Sequence, residues 1–415
     1  MKYSLVFLIS FILINCQTSI NKDFKISIIT DDKIISYGDD IKINIESKSN
    51  IIIDSVKYFL NDVRVKNEFT ISNVKLGTNS ARAEVFSGGK KIELTKEFDI
   101  FSDTKPNILN YEIINDIIKI LTALKVKGET TDEITGAVMA IREKMVHIEA
   151  PENTIDIVGT GGDGLNTLNI STASALVVAS NSIKVAKHGN RSVSSLSGSS
   201  DILTELGVNI DIKPDSCVEC INETNICFLF APNQHPKLKN VANVRKELGV
   251  RTIFNILGPL VNPAKPQFQL LGTSDSSINI NMANALLNNG IQRGIVATSS
   301  SGIDEIVIHE PTSITEIRNN EILEWQFNPK DYGFVDCSLS DIQVQSLEEA
   351  YLFGVEVLNG KRGPGLDMVA LNAGFCLYLL GLCDDLIECF EIAKKQLISG
   401  KVLLNLNVYA KATQE

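Results

Sequence analysis

The chain has 415 residues, of which 44% are hydrophobic and 21% are charged, and its formal net charge is −11. A chain of this length and apolar content can bury large cores and is expected to form two or more domains rather than to stay disordered. The acidic balance argues against a nucleic-acid binder, which needs a basic surface, so an anionic ligand would require a local cluster of positive groups.

The first sixteen residues have the form of a bacterial lipoprotein signal. An apolar run from Leu5 to Ile14 follows Met1 and Lys2 and stops just before Cys16. The run is too short to span a membrane comfortably. Residues 1–16 are therefore predicted to be an export signal with a lipid anchor at Cys16, and a buried first strand or helix is the alternative.

Residues 17–105 are a series of short alternating runs, among them FKISII, IKINIES and KIELTKEFDIF, separated by turn clusters such as Ser87-Gly88-Gly89. A period of two is typical of antiparallel strands, so this segment is predicted to form an Ig-like β sandwich. It weakly resembles the immunoglobulin-like leader of some membrane-anchored bacterial lipoproteins. Because it contains no histidine and no cysteine, and its charges alternate as on solvated strands, we expect no catalytic site in it.

After a linker at residues 102–107 the apolar period changes from 2 to 3.6, which indicates helices. One face of the first helix carries Ile117, Ile118, Leu121, Leu124 and Val126. Gly128 is expected to end this helix, and Thr130 or Thr131 is expected to cap the next one. Residues 106–150, together with parts of 232–255, are predicted to form a small, truncated helical domain.

From Asp156 onward, apolar strands alternate with helical stretches. The expected strands contain IDIVG, SIKVAKHG, ICFLFAP, FQLLGTS and RGIVATS, and the expected helices contain STASALVVASN, SSDILTELG and INMANALLNNG. This alternation predicts that residues 151–415 form an α/β domain whose central, mostly parallel sheet is flanked by helices. Ligands of such folds bind at the carboxyl ends of the strands.

Two successive segments offer backbone groups to an anion. GTGGDG at residues 159–164 follows the first of these strands, and glycine leaves its amides uncovered. Asn169-Ile170-Ser171-Thr172 then begins a helix, where N–H groups and the helix dipole favour an anion and the hydroxyls can reach a metal. Taken singly, the glycines are also consistent with a plain tight turn and the hydroxyls with a simple N-cap.

A third segment adds positive charge. Lys187, His188 and Arg191 lie on one turn after a buried strand, beside Asn190 and several serines. A solvated loop is the alternative. However, loops that only connect elements do not usually concentrate cations at the carboxyl end of a buried strand, so a binding site is favoured.

The eight cysteines are Cys16 and seven residues beyond position 216, a distribution unlike that of a disulfide framework. Cys217 and Cys220 have the spacing of half a zinc site, but no second C-x-x-C and no spaced histidine pair completes it. We therefore expect reduced, free thiols.

Five motifs occur in the order and approximate spacing of the anthranilate phosphoribosyltransferases. They are DIVGTGGDG, NIST, KHGNRSVSS with GSSD, VRKELGVRTIFNILGPLVNPA and GIDEI, and the resemblance covers about residues 116–411. Pyrimidine nucleoside phosphorylases are expected to share the fold, but the KHGNR and VRTIFNILGPL segments resemble the anthranilate enzymes. The resemblance implies transfer of the 5-phosphoribosyl group from phosphoribosyl diphosphate (PRPP) to the amine of anthranilate, a step of tryptophan biosynthesis, with Mg²⁺ as cofactor.

The resemblance also implies the residues of the site. The loop for the diphosphate and ribose would consist of Gly159, Gly162, Asp163, Thr167, Asn169, Ile170, Ser171 and Thr172. The pocket would be completed by Lys187, His188, Gly189, Asn190, Arg191, Ser192, Val193, Ser194, Ser195 and Ser199. Lys187 and His188 are the expected catalytic residues.

Magnesium is assigned, on the same resemblance, to Ser171, Asp304 and Glu305. Hard oxygen ligands combined with substrate oxygens are what this ion binds. Without the other motifs, an adjacent Asp-Glu pair would more often be a surface turn, because charged residues are mostly exposed.

Arg245 is implied as the partner of the anthranilate carboxylate, because a planar guanidinium suits a planar acid. Without the family it would be one member of a solvated basic face. Gly159 and Asn190 are further expected contacts of anthranilate, and His188 is expected beside its ring. The remaining histidines receive no role, namely His147, His235 and His309.

Two features depart from the family. Ala242-Asn243-Val244-Arg245 stands where members usually carry a proline before the hydrophobic-arginine pair. In addition, the family begins with one or two further helices that help to form the helical domain and the homodimer contact, and they are not recognised before residue 116. The resemblance implies a homodimer, but without those helices the sequence predicts neither dimerisation nor closure of the pocket.

The two ends of the chain predict different compartments. PRPP is a cytoplasmic metabolite, so substrate supply predicts a cytoplasmic transferase, whereas residues 1–16 predict export. One explanation is a junction of two unrelated coding segments near residues 110–118, joined naturally or by an assembly error. Two alternatives to the transferase remain, a surface lipoprotein whose sandwich binds a partner beside an inactive transferase remnant, and a pyrimidine nucleoside phosphorylase.

Overall fold

The computed structural model describes residues 24–29, 40–47, 55–60, 63–65, 68–70, 77–87, 90–100, 108–161, 164–191, 196–335 and 337–414. The chain forms two compact units, Met1–Asp116 and Ile117–Glu415. The predicted lipoprotein signal at residues 1–16 and the predicted linker at residues 102–107 lie outside the described residues.

The first unit consists of antiparallel strands, as the period of two in its sequence predicts. They are β1 (Phe24–Ile29), β2 (Asp40–Ser47), β3 (Ser55–Leu60), β4 (Val63–Val65), β5 (Glu68–Thr70), β6 (Gly77–Ser87) and β7 (Lys90–Ile100). Hydrogen bonds join them into two sheets with the strand orders β1-β2-β5 and β4-β3-β6-β7. Every second residue in the middle of β6 is buried, and Ala81, Ala83 and Val85 form one hydrophobic cluster with Ile43 of β2 and Leu94 of β7. Both sheets thus contribute to one core, and the Ig-like topology stays a prediction.

The remaining strands are β8 (Ile155–Gly159), β9 (Val185–Gly189), β10 (Ile226–Phe230), β11 (Phe268–Gly272), β12 (Arg293–Ser299), β13 (Thr312–Arg318) and β14 (Glu321–Phe327). The helices are α1 (Ile108–Lys127), α2 (Thr131–Lys144), α3 (Ile170–Ser180), α4 (Ser199–Glu205), α5 (Pro214–Thr224), α6 (Ala231–Gln234), α7 (Lys239–Leu248), α8 (Ile253–Leu257), α9 (Asn279–Asn288), α10 (Leu347–Leu358), α11 (Pro364–Leu379), α12 (Leu386–Ile398) and α13 (Lys401–Ala412). Among the described residues, no helix is both long and apolar enough to cross a membrane.

The second unit contains a seven-stranded sheet with the order β10-β9-β8-β11-β12-β13-β14. The five strands from β10 to β12 in this order are parallel to one another, whereas β13 pairs antiparallel with both β12 and β14. All five residues of β11 are buried, as expected for a strand whose two faces are covered. The predicted fold class, an α/β domain with a central, mostly parallel sheet flanked by helices, is confirmed.

The strand order reverses at β8, and doubly wound sheets form a ligand crevice at the carboxyl ends of the strands at such a point. From β8 the chain proceeds to β9 and β10 on one side, and it then returns to β11 and β12 on the other side. Doubly wound α/β sheets bind their ligands where the strand order reverses in this way. The three strands at this point all end in glycine, at Gly159, Gly189 and Gly272.

Residues 117–150 belong to the same compact unit as the sheet. Thr130 caps α2, because its side chain accepts a hydrogen bond from Glu133 N while the Glu133 carboxylate accepts one from Thr130 N. Arg142 of α2 donates to the carbonyl oxygens of Leu260 and Asn289, at 2.8 and 2.9 Å. These bonds attach α2 to segments that flank the sheet, and a separate helical domain stays a prediction.

The prediction that all the cysteines are free thiols is wrong. Cys383 and Cys389 form a disulfide, whereas we expected free thiols. The turn between α11 and α12 brings their Cα atoms within 6.0 Å of each other, which lies in the range for a disulfide. The free cysteines among the described residues are Cys217, Cys220, Cys227, Cys337 and Cys376.

Candidate active site

Residues 302–306 lie across the ends of β8 and β11. A Cβ placed on Gly159 would lie 2.2 Å from Asp304 Oδ2, and one placed on Gly272 would lie 1.6 Å from the main-chain oxygen of Asp304. A larger residue at Gly272 would therefore displace the main chain at Asp304, and one at Gly159 would displace the Asp304 carboxylate. Glycine is required here for close approach, and it lets a carboxylate reach the crevice.

The glycine loop after β8 is held by hydrogen bonds to the end of β11 and to Asp304. Thr160 N donates to Gly272 O at 2.9 Å, and Gly161 N donates to Asp304 Oδ2 at 2.6 Å. Gly161 has a φ of +68°, a conformation that glycine adopts without strain. Its carbonyl oxygen accepts a hydrogen bond from Arg251 at 2.8 Å.

The second carboxylate of this segment lies at the beginning of α3. Ser171 N donates to Glu305 Oε1 at 3.2 Å, so the carboxylate contacts the positive end of the helix. The Ser171 hydroxyl accepts a hydrogen bond from Lys187 Nζ at 3.2 Å. The glycine loop, α3 and the end of β9 thus meet at the Asp304–Glu305 pair.

Lys187 is buried, with 2% of its surface exposed. Its ammonium donates to Ile157 O at 2.5 Å as well as to Ser171. Burial lowers the pKa of Lys187, while the carboxylates of Asp156 and Glu305 oppose that shift. A buried cation is costly unless it is hydrogen-bonded, so this side chain is held in one position.

Asp156 is a buried carboxyl that lies in the DIVGTGGDG motif but received no predicted role. Its Oδ1 accepts from His188 N at 3.2 Å, and its Oδ2 accepts from the Asn262 amide at 2.8 Å. Burial raises the pKa of Asp156 to about 6, against the opposing effect of Lys187. Through these bonds Asp156 and Asn262 fix the backbone at the end of β9.

His188 is buried beside a second histidine. Its Nδ1 lies 3.1 Å from Gly258 O, and its ring centroid lies 5.1 Å from that of His235. Burial, reinforced by His235, lowers the pKa of His188 to about 3. The ring is therefore neutral at pH 7, and Nδ1 carries the proton because its neighbour is a carbonyl oxygen. Nε2 is then an acceptor, and it has no hydrogen-bond partner among the described residues.

The oxygen donors at the crevice fit a magnesium ion. Asp304, Glu305 and the Ser171 hydroxyl are hard ligands, and each carboxylate is oriented by a backbone N–H. The described part of the chain contains no group of three or more His, Cys, Asp or Glu residues arranged for a metal. Mg²⁺ needs no such group, because it binds through one or two carboxylates and completes its shell with substrate oxygens and water.

Residues 151–403 match the glycosyl transferase family, a/b domain. The chain is 45% identical over 283 residues to the anthranilate phosphoribosyltransferase of Nitrosomonas eutropha, a match that covers 68% of this chain and 83% of that relative. The chain belongs to the anthranilate phosphoribosyltransferase family. It is accordingly an enzyme, a transferase of the glycosyltransferase type.

Solved structures of the anthranilate phosphoribosyltransferase family have the same fold. The structure from Thermus thermophilus is 36% identical with a TM-score of 0.68, covering 74% of this chain and 95% of that chain. The structure from Saccharomyces cerevisiae in complex with PRPP and Mg is 26% identical with a TM-score of 0.69, covering 75% of this chain and 88% of that chain.

The structure brings several of the residues predicted from the family together. Direct contacts join Gly159, Ser171, Lys187, Asp304 and Glu305, as described above. The pair at 304–305 is partly buried in the crevice and is not the surface turn of the alternative interpretation. The predicted site residues outside the described part of the chain are Gly162, Asp163, Ser192, Val193, Ser194 and Ser195.

Other predicted residues hold the walls of the crevice. The side chains of Ile170 and Thr172 are buried, and Ile170 belongs to the hydrophobic core, so its backbone is all that it offers a ligand. Asn169 exchanges hydrogen bonds with Ser197, at 3.0 Å from the serine hydroxyl and 3.4 Å to the serine carbonyl. Thr167 pairs with Gln343 in an isolated antiparallel β-bridge. These contacts fix both ends of the segment that begins α3.

The remaining predicted residues lie further from this hydrogen-bonded network. Gly189 packs against Phe228 and Ser199, where a Cβ would lie 2.6 Å from the phenylalanine ring. Asn190 is exposed, and its Oδ1 accepts from Arg191 N. The guanidinium of exposed Arg191 lies 5.9 Å from the ring centroid of Phe230.

Arg245 is exposed on α7, and its guanidinium lies 5.9 Å from the ring centroid of Phe254. Its role toward anthranilate stays a prediction.

Four residues of the anthranilate phosphoribosyltransferase site were given no role from the sequence, although Asp156, Arg251 and Asn262 lie inside the quoted motifs. Asp156, Asn262 and Arg251 hold the strand ends and the glycine loop, and His235 packs on His188. Asp156 had a visible signal, because it is a charged residue inside an apolar strand. The other three act through contacts far apart in the chain, which no local pattern reveals.

Proposed function

We propose that the protein transfers the 5-phosphoribosyl group of PRPP to the amine of anthranilate and releases diphosphate. One observation supports this most directly. The two anion-binding elements, the glycine loop and the start of α3, each donate a backbone N–H to one carboxylate of the Asp304–Glu305 pair. The two carboxylates are thereby oriented for the counterion of a diphosphate, while the uncovered glycine backbone and the helix dipole of α3 favour its phosphate oxygens.

PRPP would bind with its diphosphate along the glycine loop and α3. The chain is acidic overall, so the local positive groups at this end of the sheet must attract the anion. Lys187 would supply positive charge at the site, since its Nζ is held by Ile157 and Ser171 and the carboxylates of Asp156 and Glu305 favour its charged form. Lys187 would thereby stabilise charge that develops on the departing diphosphate.

We assign the magnesium ion to Ser171, Asp304 and Glu305. When bound, Mg²⁺ neutralises the negative charge that develops on the diphosphate as the bond to the ribose breaks. The hydrogen bonds from Gly161 N and Ser171 N orient the two carboxylates before any ligand arrives. Lys187 orients the Ser171 hydroxyl in the same way.

Anthranilate would bind on the side of the crevice formed by Gly159, His188 and Asn190, with Arg245 as the partner of its carboxylate. An aromatic amine is neutral and nucleophilic at pH 7, so no strong base is required. Neutral His188, with its proton on Nδ1, offers Nε2 as an acceptor for an amine N–H. Catalysis therefore depends mainly on stabilising the charge that develops as the diphosphate leaves.

The test is an assay of the full chain with PRPP, anthranilate and MgCl₂, which follows anthranilate fluorescence. We expect the fluorescence to fall only when PRPP and magnesium are both present. The variants Asp304→Asn and Glu305→Gln should raise the magnesium concentration needed for half-maximal rate. An unchanged fluorescence would contradict the proposal and favour an inactive remnant, whereas phosphate-dependent release of a base from a pyrimidine nucleoside would favour a phosphorylase.

We propose further that an export signal with a lipid anchor at Cys16 and an Ig-like sandwich precede the transferase. The support is the apolar run of residues 5–14 and the antiparallel strands of the first unit. Substrate supply argues for the cytoplasm, so a peptide map of the mature N-terminus decides between them. An unprocessed Met1 would remove the lipoprotein proposal. Light scattering on the purified chain tests the homodimer that the family implies.

A further inference from the structure

Arg251 contacts the glycine loop at the Gly161 carbonyl, whereas Asp304 contacts it at the Gly161 N–H. One guanidinium nitrogen donates to Gly161 O at 2.8 Å, and the other donates to the Ser274 hydroxyl at 2.8 Å. Gly161 N meanwhile donates to Asp304 Oδ2. Gly161 is thus hydrogen-bonded through both its N–H and its carbonyl group.

An anion-binding loop works only when its N–H groups face the ligand and its carbonyl oxygens face elsewhere. Gly161 has a φ of +68°, and glycine passes between such conformations at little cost. A rotated peptide would direct the Gly161 carbonyl toward a diphosphate and repel it. A donor on that carbonyl opposes the rotation.

Arg251 also connects two loops that follow different strands. Gly161 follows β8, and Ser274 follows β11, which is the neighbour of β8 in the sheet. A guanidinium presents its donors in a rigid, planar fork, so it fixes the separation of its two acceptors as well as their directions. An ammonium on a flexible stem cannot do both.

The chain around Arg251 has other attachments of its own. Thr252 N donates to Asn255 Oδ1 at the start of α8, and His188 Nδ1 lies against Gly258 O just after α8. Removing the guanidinium therefore leaves α8 and His188 in place. The effect of such a change should fall on the glycine loop.

We propose that Arg251 is a positioning residue for PRPP, which holds the Gly161 carbonyl away from the diphosphate and ties the glycine loop to the loop after β11 by bridging Gly161 O and the Ser274 hydroxyl. The proposal rests on the proposed function. Arg251 acts through the loop and need not touch the substrate.

The experiment compares the full chain with Arg251→Gln, Arg251→Lys, Ser274→Ala and the Arg251→Gln/Ser274→Ala double variant. Arg318→Gln is the matched control, because Arg318 is an exposed arginine on β13 that donates to Tyr378. Calorimetry measures the Kd of diphosphate with MgCl₂, kinetics measure KM for each substrate and kcat, and thermal unfolding measures Tm.

We expect Arg251→Gln to raise the KM for PRPP and the Kd of diphosphate about tenfold, the effect of losing one charged hydrogen bond. The KM for anthranilate and the Tm should stay near those of the unchanged chain. Ser274→Ala should weaken diphosphate binding in the same direction by a smaller factor, and Arg251→Lys should lie between the glutamine variant and the unchanged chain. The double variant should be no worse than Arg251→Gln, because both changes break one bridge.

Two results would overturn the proposal. If Arg251→Lys and Ser274→Ala both bind diphosphate as the unchanged chain does while Arg251→Gln does not, Arg251 acts as a direct charge on the ligand. If Arg251→Gln lowers Tm or changes both KM values equally, its role is general stability. If the unchanged chain itself binds no diphosphate with magnesium, the proposed function fails and this inference fails with it.

Discussion

In the first unit, charged side chains pair on solvated strands, whereas in the second unit Asp156 of β8 and Lys187 of β9 are buried on neighbouring strands. Lys91 of β7 lies 2.5 Å from Glu84 of β6, and 48% of the lysine side chain is exposed. Lys187 is 2% exposed and Asp156 is fully buried. Exposed pairs contribute little to stability, while buried ionisable groups are costly and persist where chemistry needs them. Buried ionisable side chains therefore distinguish the second unit, which carries the candidate site, from the first unit.

We expect the largest effect when a methyl group is added where β11 contacts the Asp304 segment. Gly272→Ala would place Cβ 1.6 Å from the main chain of Asp304, so the strand end or residues 302–306 must move. We expect the free energy of unfolding to fall by more than about 3 kcal/mol and the transferase activity to be lost. Chemical denaturation and the fluorescence assay measure both.

Gly136→Ala is the control for that change. Gly136 lies in α2, and a Cβ there would meet nothing within 4 Å. Alanine in a helix should raise the free energy of unfolding by about 0.5–1 kcal/mol and leave activity unchanged. Equal losses in the two variants would show that close approach at Asp304 is not the cause.

Lys187→Met removes the buried cation and keeps most of the side-chain volume. Because Lys187 would supply positive charge at the site, we expect kcat/KM to fall about 10²–10³-fold, the scale for removing one electrostatic contact to a transition state. Far-ultraviolet circular dichroism should match that of the unchanged chain. A folded variant with normal kcat/KM would contradict the role of Lys187.

Asp156→Asn tests how the buried Asp156 carboxyl makes the free energy of unfolding depend on pH. The pKa of Asp156 is raised from 3.8 to about 6, so the folded state favours the protonated form. Its stabilising contribution is complete below pH 3.8 and is lost as pH rises through 6. Relative to Asp156→Asn, the unchanged chain should lose about 2 kcal/mol of unfolding free energy between pH 4 and pH 7. Denaturation at several pH values measures this, and a difference that does not vary with pH would contradict it.

Lys91→Met is the matched lysine substitution in the first unit and should have the smallest effect. Its ion pair with Glu84 is solvated, and such pairs contribute little because water and salt screen them. We expect Tm to change by less than about 2 °C. Transferase activity should match that of the unchanged chain. A loss of activity would show that charge in the first unit matters for the reaction.

Most of the site lies in segments that the sequence reveals locally. The glycine loop, the start of α3 and the turn at Lys187 each follow a recognisable strand, and their residue types indicate an anion site. Asp304 and Glu305 were placed in the site by family resemblance, and the crevice contacts agree with that placement. The disulfide of Cys383 with Cys389 was missed because spacing alone does not tell whether a turn brings two thiols together.

The amino-acid sequence by itself determined the order of strands and helices, the fold class and the stretches whose backbone is uncovered, because periodicity, glycine and capping residues act within a few positions. Only the tertiary structure decided which carboxylate meets which amide, and that Arg251 reaches Gly161 across 90 positions of the chain. Such contacts depend on how closely β8 and β11 approach residues 302–306. That approach is set by packing among segments distant in the chain, which has no local signature.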